Sequence, residues 1–252
     1  MSANEENISH PFEKLELIAA ILLGLAAIAT AFASYQSSLY DGKSVENYGK
    51  SNKTATEAAA ERSRAIVEMA RDNTVDAEAM RLILEGDDAP SPTAEERNYA
   101  VATYLYTRQM SDAGYKALGL PPEARQADAP ANDAPTDDAA PQAEQKQAAL
   151  QEQMLEKAME KDLADDENYR QEMLAGSQSL FDEAEKTFKQ GQEANETGDK
   201  FQLIAVIFAI SLFFGGIVQV FRNDRVRWAI LGVSGVFLIV STIYMLMLPW
   251  TS

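Results

Sequence analysis

Three stretches of this chain carry no charged residue, and their lengths decide most of what it can fold into. They run from Leu17 to Tyr40, from Phe201 to Phe221 and from Trp228 to the C-terminus, 24, 21 and 25 residues long. About 20 apolar residues in a helix cross the hydrocarbon core of a bilayer, so each run reads as a transmembrane helix. The remainder is very different. Over the whole 252 residues, 22 basic side chains face 39 acidic ones, for a net charge of −17. A purely soluble fold is excluded. The absence of Cys excludes disulfides and thiol chemistry. One histidine, His10, leaves no usual general base and few zinc arrangements.

The first span contains Ala31-Phe32-Ala33, which has the small-x-small shape of a signal-peptide cleavage site. The preceding tail is acidic and lacks a basic n-region, so an uncleaved anchor is expected. Ala20, Gly24, Ala27, Ala31 and Ser34 follow a 4-3-4-3 spacing that stacks small side chains along one helix face. In lipid, helices associate through close packing, and such a face lets a second helix approach. These five are the candidate helix-packing residues.

The other two spans form a hairpin joined by Arg222-Asn223-Asp224-Arg225-Val226-Arg227. Trp228 and Trp250 sit about 33 Å apart along a helix, the separation of two interfacial belts. Short Arg-rich loops stay cytoplasmic, which places residues 1–16 and 222–227 inside and the region 41–200 outside. Lys43, Lys50 and Lys53 argue the other way. Gln202, Ser211 and Gln219 are the conspicuous polar side chains of the second span, and nothing ionisable lies mid-membrane. Pumps and ion-coupled transporters generally need such groups.

Between the spans the chain is rich in helix formers. A helix continuing from the first span to about Leu84 has a loose 3-4 seam at Val45, Tyr48, Asn52, Ala55, Ala59, Arg62, Ile66, Met69, Asn73, Asp76, Met80 and Ile83. Residues 85–92 break it, and Thr93 with Glu96 has capping-box spacing for a second helix to about Leu118. Five of the nine prolines fall in 119–145, an acidic Ala-rich segment that reads as a flexible loop. A third helix is expected from Lys146 to Asn195, its ordered part starting nearer Leu163. Its face is Met173, Ser177, Leu180, Ala184, Phe188, Gly191 and Asn195. Gly42 and Thr197-Gly198-Asp199 are expected as hinges. The sum is an all-α membrane protein: three transmembrane helices (17–40, 201–221, 228–250) with a long, coiled-coil-like helical stalk between the first two.

The segments LGLAAIATAFASYQSSLYDG and EANETGDKFQLIAVIFAISLFFGG, followed by a basic turn and a last span ending in Leu-Pro, resemble a group of uncharacterised bacterial three-span membrane proteins with a helical insert. The resemblance covers about 20 residues at one end and 60 at the other. It implies the bacterial inner membrane, and no activity or functional residue.

No nucleophile–base pair, phosphate-binding glycine loop or zinc motif is visible, so no catalytic, cofactor or metal residue is assigned. A net charge of −17 repels nucleic acid. The expected function is a structural or interaction protein in the lipid bilayer that self-assembles or serves a membrane-protein partner. The alternative is a homo-oligomeric channel with an acidic, cation-favouring vestibule.

Overall fold

The computed structural model describes residues 10–127 and 140–250. Among the described residues, seven α-helices follow in chain order: α1 (His10–Asp87), α2 (Pro92–Tyr104), α3 (Asp112–Ala117), α4 (Pro122–Ala127), α5 (Ala140–Met159), α6 (Glu167–Ile217) and α7 (Asp224–Met247). A π turn (Leu105–Gln109) prolongs α2, and short 3-10 turns precede α6 and follow it. No strand occurs among the described residues. By length and composition, α1, α6 and α7 are each apolar enough to cross a membrane. The chain divides into two compact units, residues 1–53 with 183–252, and residues 54–182.

In the first unit α1, α6 and α7 pack around Ala33, Tyr40, Phe201, Ile204 and Phe208, with a second cluster at Leu15, Ala19, Val218 and Leu231. Ser211 of α6 and Ser234 of α7 exchange two bonds, each hydroxyl donating to the other's backbone carbonyl at 2.8 Å. Tyr40 stacks on Phe201 and donates its hydroxyl to the Pro249 carbonyl at 2.8 Å. Trp250 meets Phe32 edge-on. The connection between α6 and α7 is tighter than the six-residue basic turn expected. Asn223 caps α7 by accepting the Arg225 N–H at 3.0 Å, so Arg225 and Arg227 already belong to the helix.

Neither expected hinge forms. Helix α1 runs unbroken through Gly42, and α6 through Thr197-Gly198-Asp199. Gly198 is instead a point of close approach. A Cβ there would lie 2.8 Å from the Asp41 carboxylate and 3.4 Å from the Ser37 carbonyl. The freed space lets Ser37 donate its hydroxyl to the Gly198 carbonyl at 3.0 Å. Gly191 does the same against Tyr48, and Ser51 donates to the Ala184 carbonyl at 2.7 Å.

The second unit has its core at Ala79, Ile83, Ala102, Tyr106, Met154, Leu155 and Leu163. Here several expected boundaries move. The second helix begins at Pro92, capped by Ser91 rather than Thr93, because a proline at the first helical position has its φ already set. That helix ends at Tyr104, passes into the π turn, and restarts at Asp112 behind Ser111. The expected third helix is two: α5 ends at Met159, and α6 begins at Glu167 after the buried Leu163. Gly119 adopts φ 69°, the left-handed conformation that stops α3 where the sequence placed a stop. Of the expected loop 119–145, residues 122–127 and 140–145 are helical, and 128–139 lie outside the described residues.

The seam along α1 also lies one step from the one expected. Val45 is 70% exposed and Ile66 48%. The buried positions are Ser44 and Ser51 in the first unit, and Ala58, Ala65, Asp72 and Ala79 in the second. They recur every seven residues and are all small or polar. Close helix approach selects side chains for size before hydrophobicity, so the larger apolar residues were the misleading guide. Asp76 and Ile83, from the expected seam, are buried too. On α6, Ser177, Ala184 and Gly191 are buried as expected, whereas Phe188 is exposed.

Candidate functional site

Ala20, Gly24, Ala27, Ala31 and Ser34 all lie on the exposed side of α1. Ala19, Ala26 and Ala33, each a position away, are the ones buried within the first unit. The span therefore carries two small-residue faces, and its own chain covers one. A Cβ on Gly24 would meet nothing within 4 Å. At Gly215 of α6, by contrast, a Cβ would lie 3.1 Å from Leu23 and 3.3 Å from the Ser234 hydroxyl.

At the start of α7, Arg227 is buried, with Glu16 at 3.7 Å and Asp224 at 3.9 Å. That pairing holds the N-terminal part of the first span beside the basic connection.

The second unit contains a polar site that the sequence pattern only half reveals. Asp72 and Asp76 stand one turn apart on α1 and both are buried. Asp72 accepts the Ser111 N–H at 2.8 Å and the Tyr169 hydroxyl at 2.7 Å, and the Ser111 hydroxyl also donates to it. Asp76 accepts the Tyr106 hydroxyl at 2.9 Å and the Leu163 N–H at 3.5 Å. Burial pushes the Asp76 carboxyl above its ordinary value of 3.8, against the opposing pull of those two hydrogen bonds. Burial likewise raises Tyr106 and Tyr169, and the carboxylates beside them add to it, so both phenols stay protonated.

Chemically, this pair ties α1 to four other pieces of the unit: the π turn, the cap of α3, the 3-10 turn at Leu163 and the start of α6. Asp76 stands out in the sequence as a charge where a core position wants Leu. Asp72 does not, and the seven-residue recurrence of Ser and Ala on its face is the available signal. No group of three or more His, Cys, Asp or Glu placed to hold a metal occurs among the described residues.

Arg125 of α4 supplies a second clasp. Its guanidinium donates to the carbonyls of Thr107 at 3.1 Å and Met110 at 2.6 Å, pairs with Asp112, and lies over the Tyr115 ring at 4.4 Å. A planar fork with five donors suits these several acceptors at once. It satisfies carbonyls left open where the π turn ends, and it orders a segment whose composition reads as loop.

No family model, curated protein or solved structure matches this chain.

Proposed function

We propose that this chain is a non-enzymatic component of a bacterial inner membrane, spanning it three times and working through assembly, with itself or with a membrane-protein partner. The observation that carries the reading is the exposed face of Ala20, Gly24, Ala27, Ala31 and Ser34, beside a second small-residue face already filled from within the chain. A lipid-facing helix has no need of small side chains, whereas a helix–helix contact does. The Arg227–Glu16 contact supports an arrangement with the N-terminal tail and the basic connection on one side, which the arginines of the connection assign to the cytoplasm. The helical region 41–200 then stands outside it. A channel draws on Gln202, Ser211 and Gln219, and the hydroxyl of Ser211 is engaged with Ser234 inside the hairpin.

The test is particle mass in lipid nanodiscs, compared between the native chain and Gly24→Leu with Ala27→Leu. Because the space beside Gly24 is open within the chain, the substitution leaves the protomer fold intact and blocks only what docks from outside. The expected result is a smaller particle. In a chain without cysteine, Ala27→Cys should also cross-link to a second copy or to a partner. An unchanged mass with no cross-linked product would refute the proposal.

A further inference from the structure

We propose that the connection between α6 and α7 binds the phosphodiester of an anionic phospholipid through Arg222 and Arg225. The inference rests on the reading of the chain as membrane-spanning, and adds a lipid as its ligand. The acids that pair at this connection, Glu16 and Asp224, both reach Arg227, which is the buried arginine of the three. Arg222 and Arg225 are exposed and form no ion pair with a described residue. Three arginines against two acids leave one positive charge, in a chain whose sum is −17. A phosphodiester carries the single negative charge that matches it.

Apolar surface surrounds the two arginines. Val220 and Phe221 precede Arg222, Val226 and Trp228 follow Arg225, and all four are exposed. Asn223 accepts the Arg225 N–H at 3.0 Å and so starts α7 at Asp224. The residues three, four and seven positions after Arg225 share its helix face. They are Trp228, Ala229 and Gly232, and each is exposed. A Cβ on Gly232 would meet nothing within 4 Å. Arg225 therefore tops an open lane along α7, with an indole at its upper edge where the headgroup level of a bilayer favours one.

That pairing of charge and lane selects the ligand. A water-soluble anion would use the arginines and leave the lane bare. A phospholipid uses both: its phosphate accepts paired N–H groups from the guanidiniums, and an acyl chain lies along Trp228 and Gly232. Basic pockets beside spans are a recurrent place for acidic headgroups. A zwitterionic phospholipid brings an ammonium that cancels the charge match.

The experiment is native mass spectrometry of the full chain released from detergent, titrated with phosphatidylglycerol and, separately, with phosphatidylcholine of the same acyl chains. Phosphatidylglycerol should bind about twentyfold more tightly. Arg222→Gln or Arg225→Gln should each lower that preference about fivefold, and the two together should abolish it. Trp228→Ala should weaken both lipids alike, because it removes chain contact and no charge. Lys43→Gln with Lys50→Gln alters two cations already engaged, by the Tyr40 ring and by Glu46, and should leave the preference as it was. An equal loss in that control would assign the effect to net charge and overturn the site. Equal affinity for the two lipids would overturn it as well, as would glycerol 3-phosphate binding as tightly as the lipid, which would mark a free phosphoester. Circular dichroism checks that each variant is folded. Flotation with phosphatidylcholine vesicles measures insertion separately. A chain that inserts and shows no preference refutes the lipid site alone, whereas one that does not insert refutes the membrane-spanning reading and the site with it.

Discussion

The hydroxyl of Tyr106 donates to the Asp76 carboxylate across 2.9 Å, and both residues are buried. One lies in the π turn and the other on α1, thirty residues apart in sequence. A buried carboxylate is costly unless its oxygens are satisfied, so the bond fixes where the π turn sits on α1. Tyr106→Phe should lower the stability of the full chain by about 1–3 kcal/mol, since it leaves a buried acceptor short of a donor. Chemical denaturation measures this, and a change within error would mean that the tyrosine is there for its ring alone.

Asp76 also sets a pH dependence. Burial is the largest cause of its raised value, with Asp162 adding and Tyr106 and Leu163 opposing. A carboxyl that holds its proton more tightly when folded stabilises most below its ordinary 3.8, and that contribution declines as pH rises through the raised value. Asp166 has the opposite sign, held low first by the Tyr169 N–H and then by Lys161, so its share is lost as pH falls. Comparing the native chain with Asp76→Asn separates the two. As pH rises from the ordinary 3.8 through the raised value, the native chain should lose stability relative to the variant. A flat or rising difference would contradict the assignment.

Gly114 is a position in the second unit where a side chain has no room. A Cβ there would lie 2.6 Å from Asp72 Oδ2, and Asp72 cannot swing aside while Ser111 and Tyr169 hold it. Gly114→Ala should cost about 1–3 kcal/mol. Gly24→Ala, into open space, should stay within about 1 kcal/mol of the native chain and serves as the control. Equal thermal midpoints for the two variants would count against the packing described.

Ser211 and Ser234 act as one unit. Ser211→Ala or Ser234→Ala should each weaken α6–α7 pairing by about 1 kcal/mol, and the double variant by less than the sum. Unfolding in mixed detergent supplies the double-mutant cycle. Simple additivity would show that the hydroxyls do not depend on one another.

Arg125 should control local order. Arg125→Lys keeps the charge and loses the fork, so amide exchange at Leu120 and Ala124 should accelerate at least tenfold. Unchanged protection would place the stability of α4 in its apolar contacts.

How far the sequence carries depends on which physical signal a feature leaves. The spans are legible because a helix that meets water rarely runs 21 residues without a charge, as the shortest of the three does. Helix stops at Gly86-Asp87 and Gly119 are legible because they depend on local chain chemistry. The break between α5 and α6 is not, since helix formers run through it, and what ends α5 is the burial of Leu163 in a core made of distant residues. The expected hinge at Gly198 fails for a related reason: the glycine's missing Cβ serves the helix opposite it. The five small residues of the first span stand out by spacing, yet spacing does not reveal that Ala19, Ala26 and Ala33 form a second such face. Asp72 is marked only by the seven-residue recurrence on its face, because its donors, Ser111 and Tyr169, are brought to it by the fold.

The seven-residue recurrence of Ser44 and Ser51 on α1, facing Ala184 and Gly191 on α6, restricts how this protein can change length. Removing a few residues from one helix alone would rotate every small side chain beyond the cut off the contact and bring bulky ones onto it. Removing seven from each restores the register. Lineages descended from this architecture should therefore lengthen or shorten in paired steps of seven, one in each helix, so that an insertion in one helix is an instruction about where to find its counterpart in the other.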